Sequence, residues 1–410
     1  MDKETYSSEI YYKNIHNFEW AYYILSTVMI WPVMTLFYKS RGLTFFEIAS
    51  LQSIGSIITL ILEIPLGYLA DRFGNRTILI LSGVTRIIGV VFLIISNDFS
   101  LFIISEFFFA VSESGQSGSD TSFLYRNLVR INRVDDYRVI MSKLRGQQSL
   151  IRIVTRFLSP LLFSLWDLSI FILAIISYCV VLLFYFLFKE TPAISEEATN
   201  DDINDNTSKT TTPWLSKLRF IISKYKRFLL LSMLSLLIFT LVSNYSQYMG
   251  PMLEQLHFDI AYLGIVLALG SGFNYLGTKI SERIKSDAST TFLFTLAIII
   301  ALALVLFGFG NNVIVGIFSY FLICLCHSPF TILLGEKINL CISDKYRATA
   351  LSVSNQIDNI GSILIDPIIG FYIDQAGFST SYFYIGFIAL FLLFISWMGI
   401  VYAKRNYKNA

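Results

Sequence analysis

The sequence predicts an all-α integral membrane protein of twelve transmembrane helices in two bundles of six. Three observations carry that prediction. The 410 residues are 55% hydrophobic, 16% aromatic and only 15% charged, and the mean hydropathy of +0.63 lies well above that of soluble domains. The apolar residues fall into twelve stretches, each long enough for a bilayer core that needs about 20 residues per helix. The basic residues alternate sides as cytoplasmic loops require, because Lys and Arg resist translocation.

The elements follow in order. Residues 17–38 form the first apolar stretch, and the sixteen before it are polar and aromatic, without the short apolar core of a signal peptide. Stretches at 47–69, 77–96 and 100–121 follow, then 147–165 and 168–188, separated by short polar turns. The second set runs 228–249, 259–278, 289–309, 312–334, 350–372 and 380–402. With the N-terminus inside, Lys39 and Arg41 are the bases left in outer loops, and Arg86, Arg152 and Arg156 lie within helices. The other Lys and Arg of the 31 collect on the cytoplasmic side, as do both termini. Spread over many short loops, with a net charge of +2, they form no patch for nucleic acid.

The long polar stretch 189–213, rich in Asp, Glu, Asn and Thr, reads as a solvated linker between the halves. From Pro213, WLSKLRFIISKYKR alternates apolar and basic residues at helical spacing, as an interfacial helix on an anionic leaflet does. The expected division is therefore 1–188, a cytoplasmic linker 189–227, and 228–410. An internal echo supports it: Pro160 and Pro367 occupy equivalent places, Gln148 matches Asn355, and Arg152 matches Asn359.

Between the second and third stretches the chain reads Gly67-Tyr-Leu-Ala-Asp71-Arg72-Phe-Gly74-Asn-Arg76. This run resembles the cytoplasmic loop signature of the major facilitator superfamily (MFS), with Asn75 where a base is usual. The strings Glu63-Ile-Pro-Leu-Gly-Tyr-Leu-Ala-Asp71 and Ser117-Gly-Ser-Asp-Thr-Ser-Phe-Leu-Tyr125 are similar to bacterial efflux permeases of that superfamily. The resemblance implies two six-helix bundles related by a pseudo-two-fold axis, with a substrate site near the midplane. It also implies a latch on the inner face in which Gly67 and Gly74 permit close approach and a sharp turn. There Asp71 would meet the positive N-terminal end of helix eleven, and Arg72 and Arg76 would hold the same face. The family usually works as a monomer in the plasma membrane, without a cofactor. Exporters of the superfamily carry an arginine in helix four and a glycine-rich signature in helix five. Here Glu106 replaces the arginine, and Thr155, Ser159, Phe163 and Ser164 stand where glycines are usual.

Charges inside the bilayer are the sequence's own functional candidates, since each costs about 3 kcal/mol at a helix centre. Helix four carries Glu106, Glu113 and Asp120 at seven-residue spacing, helix two carries Glu63, and helix eleven Asp358 and Asp366. Against them stand Arg86, Arg152 and Arg156, the last two four residues apart on one face. Buried charges of opposite sign are expected to pair. Glu113, in the small and polar run 112–119, is the carboxylate expected to alternate between a protonated and an arginine-paired state and so couple protons to substrate. The alternative is a permanent ion-pair network that fixes helix packing. His327, beside Pro329, reads as a hydrogen-bonded structural histidine, with titration as the other possibility. Asn244, Tyr245, Gln247, Tyr248, Asn274 and Tyr275 are candidates for a polar or aromatic ligand, although Tyr at a helix end is as often an interface anchor.

Three functions fit these features: proton-driven export of small amphipathic compounds, import or uniport of a nutrient or small organic ion, and membrane-bound catalysis. Catalysis is disfavoured by scattered histidines (His16, His257, His327), and no metal-ligand cluster is indicated. Gly272-Phe-Asn-Tyr-Leu-Gly277-Thr-Lys279 mimics a phosphate loop but reverses its final pair and has no preceding strand. The expectation is thus a secondary transporter with a small-molecule substrate and protons as coupling ion.

Overall fold

Every regular element in the computed structural model is helical. It describes residues 3–190, 226–284, 290–310, 312–341 and 347–408. The first half holds α1 (Lys3–Ser26), α2 (Met34–Ser40), α3 (Phe45–Phe73), α4 (Asn75–Ile95), α5 (Phe99–Arg130), α6 (Asp136–Leu165) and α7 (Ser169–Leu187). The second holds α8 (Lys226–Gln255), α9 (Ile260–Arg283), α10 (Thr290–Gly310), α11 (Val313–Leu340) and α12 (Arg347–Lys408). The interfacial helix expected from Pro213 lies almost wholly outside the described residues.

Among the described residues nine segments are long and apolar enough to cross a membrane. Helix covers most of each expected stretch, the first being interrupted between Ser26 and Trp31, and two reasons account for the smaller number. Helices α5 and α6 carry the acids and arginines that lower their apolarity. The segment Gln356–Met398 contains two expected spans in one, with a break at Gly377, whose φ of 76° leaves the helical region. Pro65, Pro160, Pro251, Pro329 and Pro367 all sit inside helices. Membrane helices tolerate such breaks where neighbouring groups satisfy the freed backbone.

Three boundaries differ from the sequence reading. Helix α1 begins at Lys3 rather than residue 17, because Asn14, Ile15 and Phe18 are buried against other helices. It also stops at Ser26, and the chain passes through a short 3₁₀ turn, Trp31–Val33, before α2. Pro32, without an N–H, sits in that turn. Helix α6 starts at Asp136 rather than at residue 147.

Contacts divide the chain into two compact units, the first built from the N-terminal helices and the second from the C-terminal ones. The first turns of α3, residues 44–53, group with the second unit. In the first unit α4 packs along α5 and α7, and α1 along α5, α6 and α7. An apolar cluster of Phe18, Leu79, Phe123, Leu124, Leu128, Leu144, Val181 and Phe188 fills this interface. Burying one such side chain is worth about 1.5–3 kcal/mol relative to water. Phe123 and Phe188 stack with centroids 4.4 Å apart. Beside them Asn14 Nδ2 donates to Asn127 Oδ1 (2.8 Å) and to the Lys189 carbonyl (2.9 Å), while Asn14 Oδ1 accepts from Lys189 N (2.9 Å). One amide thus fixes the chain where it leaves α7. In the second unit α8 packs on α12, α9 on α11, and α10 on both α11 and α12.

The start of α3 is capped twice. Thr44 and Glu47 form a reciprocal box: Thr44 N donates to Glu47 Oε2 (2.8 Å) and Glu47 N to Thr44 Oγ1 (3.2 Å). Asp374 of α12 accepts from Phe45 N (2.9 Å) and Phe46 N (2.8 Å). These bonds satisfy amides that the first turn of any helix leaves without partners.

Candidate binding cavity

The first unit encloses a cavity of about 540 Å³, within the range of small-molecule sites. Helical spacing builds its walls. Helix α1 contributes Tyr22, Leu25 and Ser26, and α6 contributes Gln148, Arg152, Thr155 and Arg156, all spaced to share a face. Helix α5 adds Gln116 and Asp120, four apart, while α4 adds Arg86 and α7 adds Tyr178. The break after α1 supplies Val28, Trp31 and Pro32. That break frees backbone groups, and Ser159 Oγ of α6 donates to the Met29 carbonyl at 2.6 Å.

The polar groups are held in place. Arg86 Nε donates to Ser112 Oγ at 2.8 Å, and its guanidinium lies 5.7 Å from the centre of the Tyr178 ring. Ser112 is fully buried and donates in turn to the Ser82 carbonyl at 2.8 Å. Tyr22 Oη donates to Gln148 Oε1 at 3.2 Å. Asp120 Oδ1 accepts from Thr121 N at 2.5 Å. The lining thus combines three guanidinium groups, one carboxylate, two carboxamides and three aromatic rings.

The three arginines singled out from sequence all reach this cavity, but the carboxylates divide. Glu106 lies elsewhere on α5, accepting from Tyr38 Oη at 2.8 Å. Glu113 is exposed and outside the cavity lining, and Glu63 is exposed on α3. The lining carboxylate is Asp120. Seven-residue spacing keeps three residues roughly aligned, yet Glu106 and Asp120 are separated by about 21 Å along the axis, at 1.5 Å per residue. The alignment also drifts by about 20° per heptad. One site cannot hold all three. The pairing expected for Arg86 is likewise met by a hydroxyl, Ser112, rather than a carboxylate.

Asp358 and Asp366 belong to the second unit. Asp358 Oδ2 accepts from Ser235 Oγ (3.0 Å), and Asp366 Oδ1 accepts from Asn244 Nδ2 (2.6 Å). The other α8 and α9 candidates serve mainly in packing. Tyr245 Oη donates to the Gly316 carbonyl (3.0 Å), Tyr248 is buried against Phe45, and Asn274 Oδ1 accepts from Ser328 Oγ (3.1 Å). Tyr275 is exposed, whereas Gln247 Nε2 and His327 Nε2 are buried without a hydrogen-bond partner among the described residues.

The 67–76 run closes α3 and opens α4. Asp71 pairs with Arg126 of α5 (2.9 Å). Arg76 donates from Nη2 to the Phe186 carbonyl (3.0 Å) and from its backbone N to Glu190 (3.1 Å). Arg72 lies 5.4 Å from the centre of the Phe73 ring. Gly74 makes the sharp turn with φ of 91°. Among the described residues a Cβ at Gly67 would meet nothing within 4 Å. Asn75, where the family has a base, is buried and donates to Ser122 Oγ at 3.0 Å. The start of helix eleven, expected to face Asp71, adjoins residues 342–346, which lie outside the described residues. Sequence reasoning passed over Arg126, although a base four residues before Arg130 at the inner end of helix four was a usable signal.

Comparison with known proteins agrees with this architecture. The chain is 25% identical over 369 residues to the uncharacterized MFS-type transporter YxaM of Bacillus subtilis (strain 168), with 88% of each chain covered. Among solved structures, a point mutant of the nucleoside transporter NupG superposes with a TM-score of 0.76 at 14% identity, covering 94% of this chain and 98% of that one. A bacterial homolog of the human lysosomal transporter Spinster, inward-facing and unoccupied, superposes with a TM-score of 0.65 at 15% identity, covering 97% and 96%. The model of the Major Facilitator Superfamily matches residues 21–365, and the chain belongs to that superfamily of membrane transporters.

Proposed function

We propose that the protein is a secondary active transporter that exports small amphipathic compounds in exchange for protons, working by alternating access as a monomer in the plasma membrane. The carrying observation is the cavity of about 540 Å³ in the first unit, where aromatic rings and charged groups face one space. Such a lining suits a compound with an apolar body and a polar head. Asp120 is the carboxylate in reach of that space, and it takes the coupling role first expected of Glu113. A proton on Asp120 changes the charge of the lining by one unit, so proton and substrate occupancy are linked. Asp71, Arg72, Gly74 and Arg76 keep the latch role that the family signature implies, and the Asp71–Arg126 pair holds the inner ends of α3 and α5 together within the first unit.

The test is proton movement in proteoliposomes loaded with a pH dye, over a panel of candidate compounds. Wild type is expected to move protons when a substrate is added on one side. Asp120→Asn is expected to transport without proton flux, while Glu113→Gln keeps it. Transport with no proton movement in wild type would leave a uniporter, and coupling lost only in Glu113→Gln would return the role to Glu113.

A further inference from the structure

Charge and shape in the first-unit cavity point to the class of compound it holds. Arg86, Arg152 and Arg156 line it against a single lining carboxylate, Asp120, so the described lining carries an excess of two positive charges when Asp120 is ionised. Guanidinium groups gathered around one concave space add their fields, which raises the local concentration of an anion there. Each presents planar donors that match a carboxylate or phosphate two bonds at a time. Arg86 is already oriented: one of its five donors, Nε, is engaged by Ser112, and its other donors are oriented with it. Arg152 and Arg156 are one helical turn apart on the same face of α6. Tyr22 and Trp31 also line the space and offer faces for a flat apolar ring, while the Tyr178 ring lies against the Arg86 guanidinium.

We propose that this cavity selects organic anions: compounds with one acidic head, carboxylate or phosphate, on an aromatic or similarly flat apolar body. The assignment rests on the transporter reading above and narrows its amphipathic substrate to one sign of charge. Cations are disfavoured by the same three guanidinium groups, and neutral analogues forgo the charge-assisted bonds. A free solute and the head of an anionic lipid share this chemistry, and the proposal assigns the site to the solute.

The experiment uses the full chain in phosphatidylcholine nanodiscs and three probes with the same ring: benzoate, benzyl alcohol and benzylammonium, with phenyl phosphate as a second anion. Binding is read by thermal stabilisation and by competition against labelled benzoate. Benzoate or phenyl phosphate is expected to bind, and benzylammonium and benzyl alcohol at least about tenfold more weakly, the usual worth of a hydrogen bond to a charged group. Arg152→Gln is expected to weaken anion binding by about tenfold or more, and Arg152→Lys to restore part of it. The unliganded melting temperature of each variant separates loss of binding from loss of fold. Equal binding of benzylammonium, or anion binding unchanged in both Arg86→Gln and Arg152→Gln, would overturn the proposal. So would loss of benzoate binding when phosphatidylglycerol replaces phosphatidylcholine, which would give the site to a lipid head. Counterflow of labelled benzoate in proteoliposomes keeps the two readings apart. Binding without counterflow counts against transport and not against anion selection, whereas counterflow of benzylammonium that survives Arg152→Gln counts against anion selection alone.

Discussion

Arg86 Nε donates to Ser112 Oγ at 2.8 Å, and that hydroxyl donates in turn to the Ser82 carbonyl at 2.8 Å. The serine is a positioning residue, since it fixes the guanidinium over the cavity without lining it. Ser112→Ala is expected to cost about 1–2 kcal/mol of stability, a modest loss because Thr85 Oγ1 also donates to the Ser82 carbonyl (3.2 Å). Substrate affinity should fall severalfold more than that stability change explains, as Arg86 loses its orientation. Titration of binding beside a melting curve checks this, and equal affinity in wild type and variant would place the serine in packing alone.

The Asn14 amide meets Asn127 and both backbone groups of Lys189 in a buried setting. Asn14→Ala removes three hydrogen bonds, one to Asn127 Oδ1 and two to the Lys189 backbone. Stranded polar groups cost about 1–3 kcal/mol each, so a marked fall in melting temperature is expected. Asn14→Asp retains an acceptor for Lys189 N but loses the donor to Asn127, and an intermediate loss is expected. A melting temperature unchanged in Asn14→Ala would show that water replaces the amide.

Gly74 occupies φ of 91°, and a Cβ built there would lie 2.2 Å from Glu190 Cδ. Both strain and collision oppose a side chain, so Gly74→Ala is expected to displace the Glu190 carboxylate from the Arg76 amide, which it meets at 3.1 Å. A stability loss of more than 1 kcal/mol follows from the backbone conformation alone. Glu190→Ala would remove the collision and leave the strain. The double variant should therefore be more stable than the sum of the two single losses, a coupling that a melting-temperature cycle measures.

How much of this was legible depends on what each residue shows of itself. The apolar helices announce themselves because a bilayer demands long apolar runs. The arginines of the cavity do so because a charge in such a run is costly. Tyr22 and Trp31 carry no comparable mark among 36 Phe and 23 Tyr, and the break after Ser26 that brings Trp31 into the wall has only Pro32 to signal it. The beginning of α1 was hidden because Glu9, Lys13 and Glu19 look like a tail, although Asn14, Ile15 and Phe18 between them face the core. Asp120 was visible as the third member of a heptad series, but its depth in the cavity depends on where α1 and α6 lie, and heptad spacing does not contain that. The Asp71–Arg126 pair joins residues 55 apart in sequence, and pairing at that distance is a property of the fold.

Asp374 illustrates the same limit from the other half and yields the last prediction. Its carboxylate accepts from the first two amides of α3, Phe45 N at 2.9 Å and Phe46 N at 2.8 Å, from a position more than 300 residues further along the chain. An acidic group at a helix start is favoured twice, by hydrogen bonds to orphan amides and by the positive end of the helix dipole. Phe45 itself packs on Tyr248 and Phe378, with ring centroids 5.3 and 4.9 Å away, so the cap holds an aromatic contact in register. Asp374→Ala is expected to cost about 1–2 kcal/mol and to raise amide exchange at Phe45 and Phe46, while the Thr44–Glu47 box keeps the next turn protected. Asp374→Asn retains an acceptor but not the charge and should lie between the two. Exchange unchanged at these amides in Asp374→Ala would mean that solvent caps the helix equally well, and the contact would then be dispensable to the docking of residues 44–53 on the second unit.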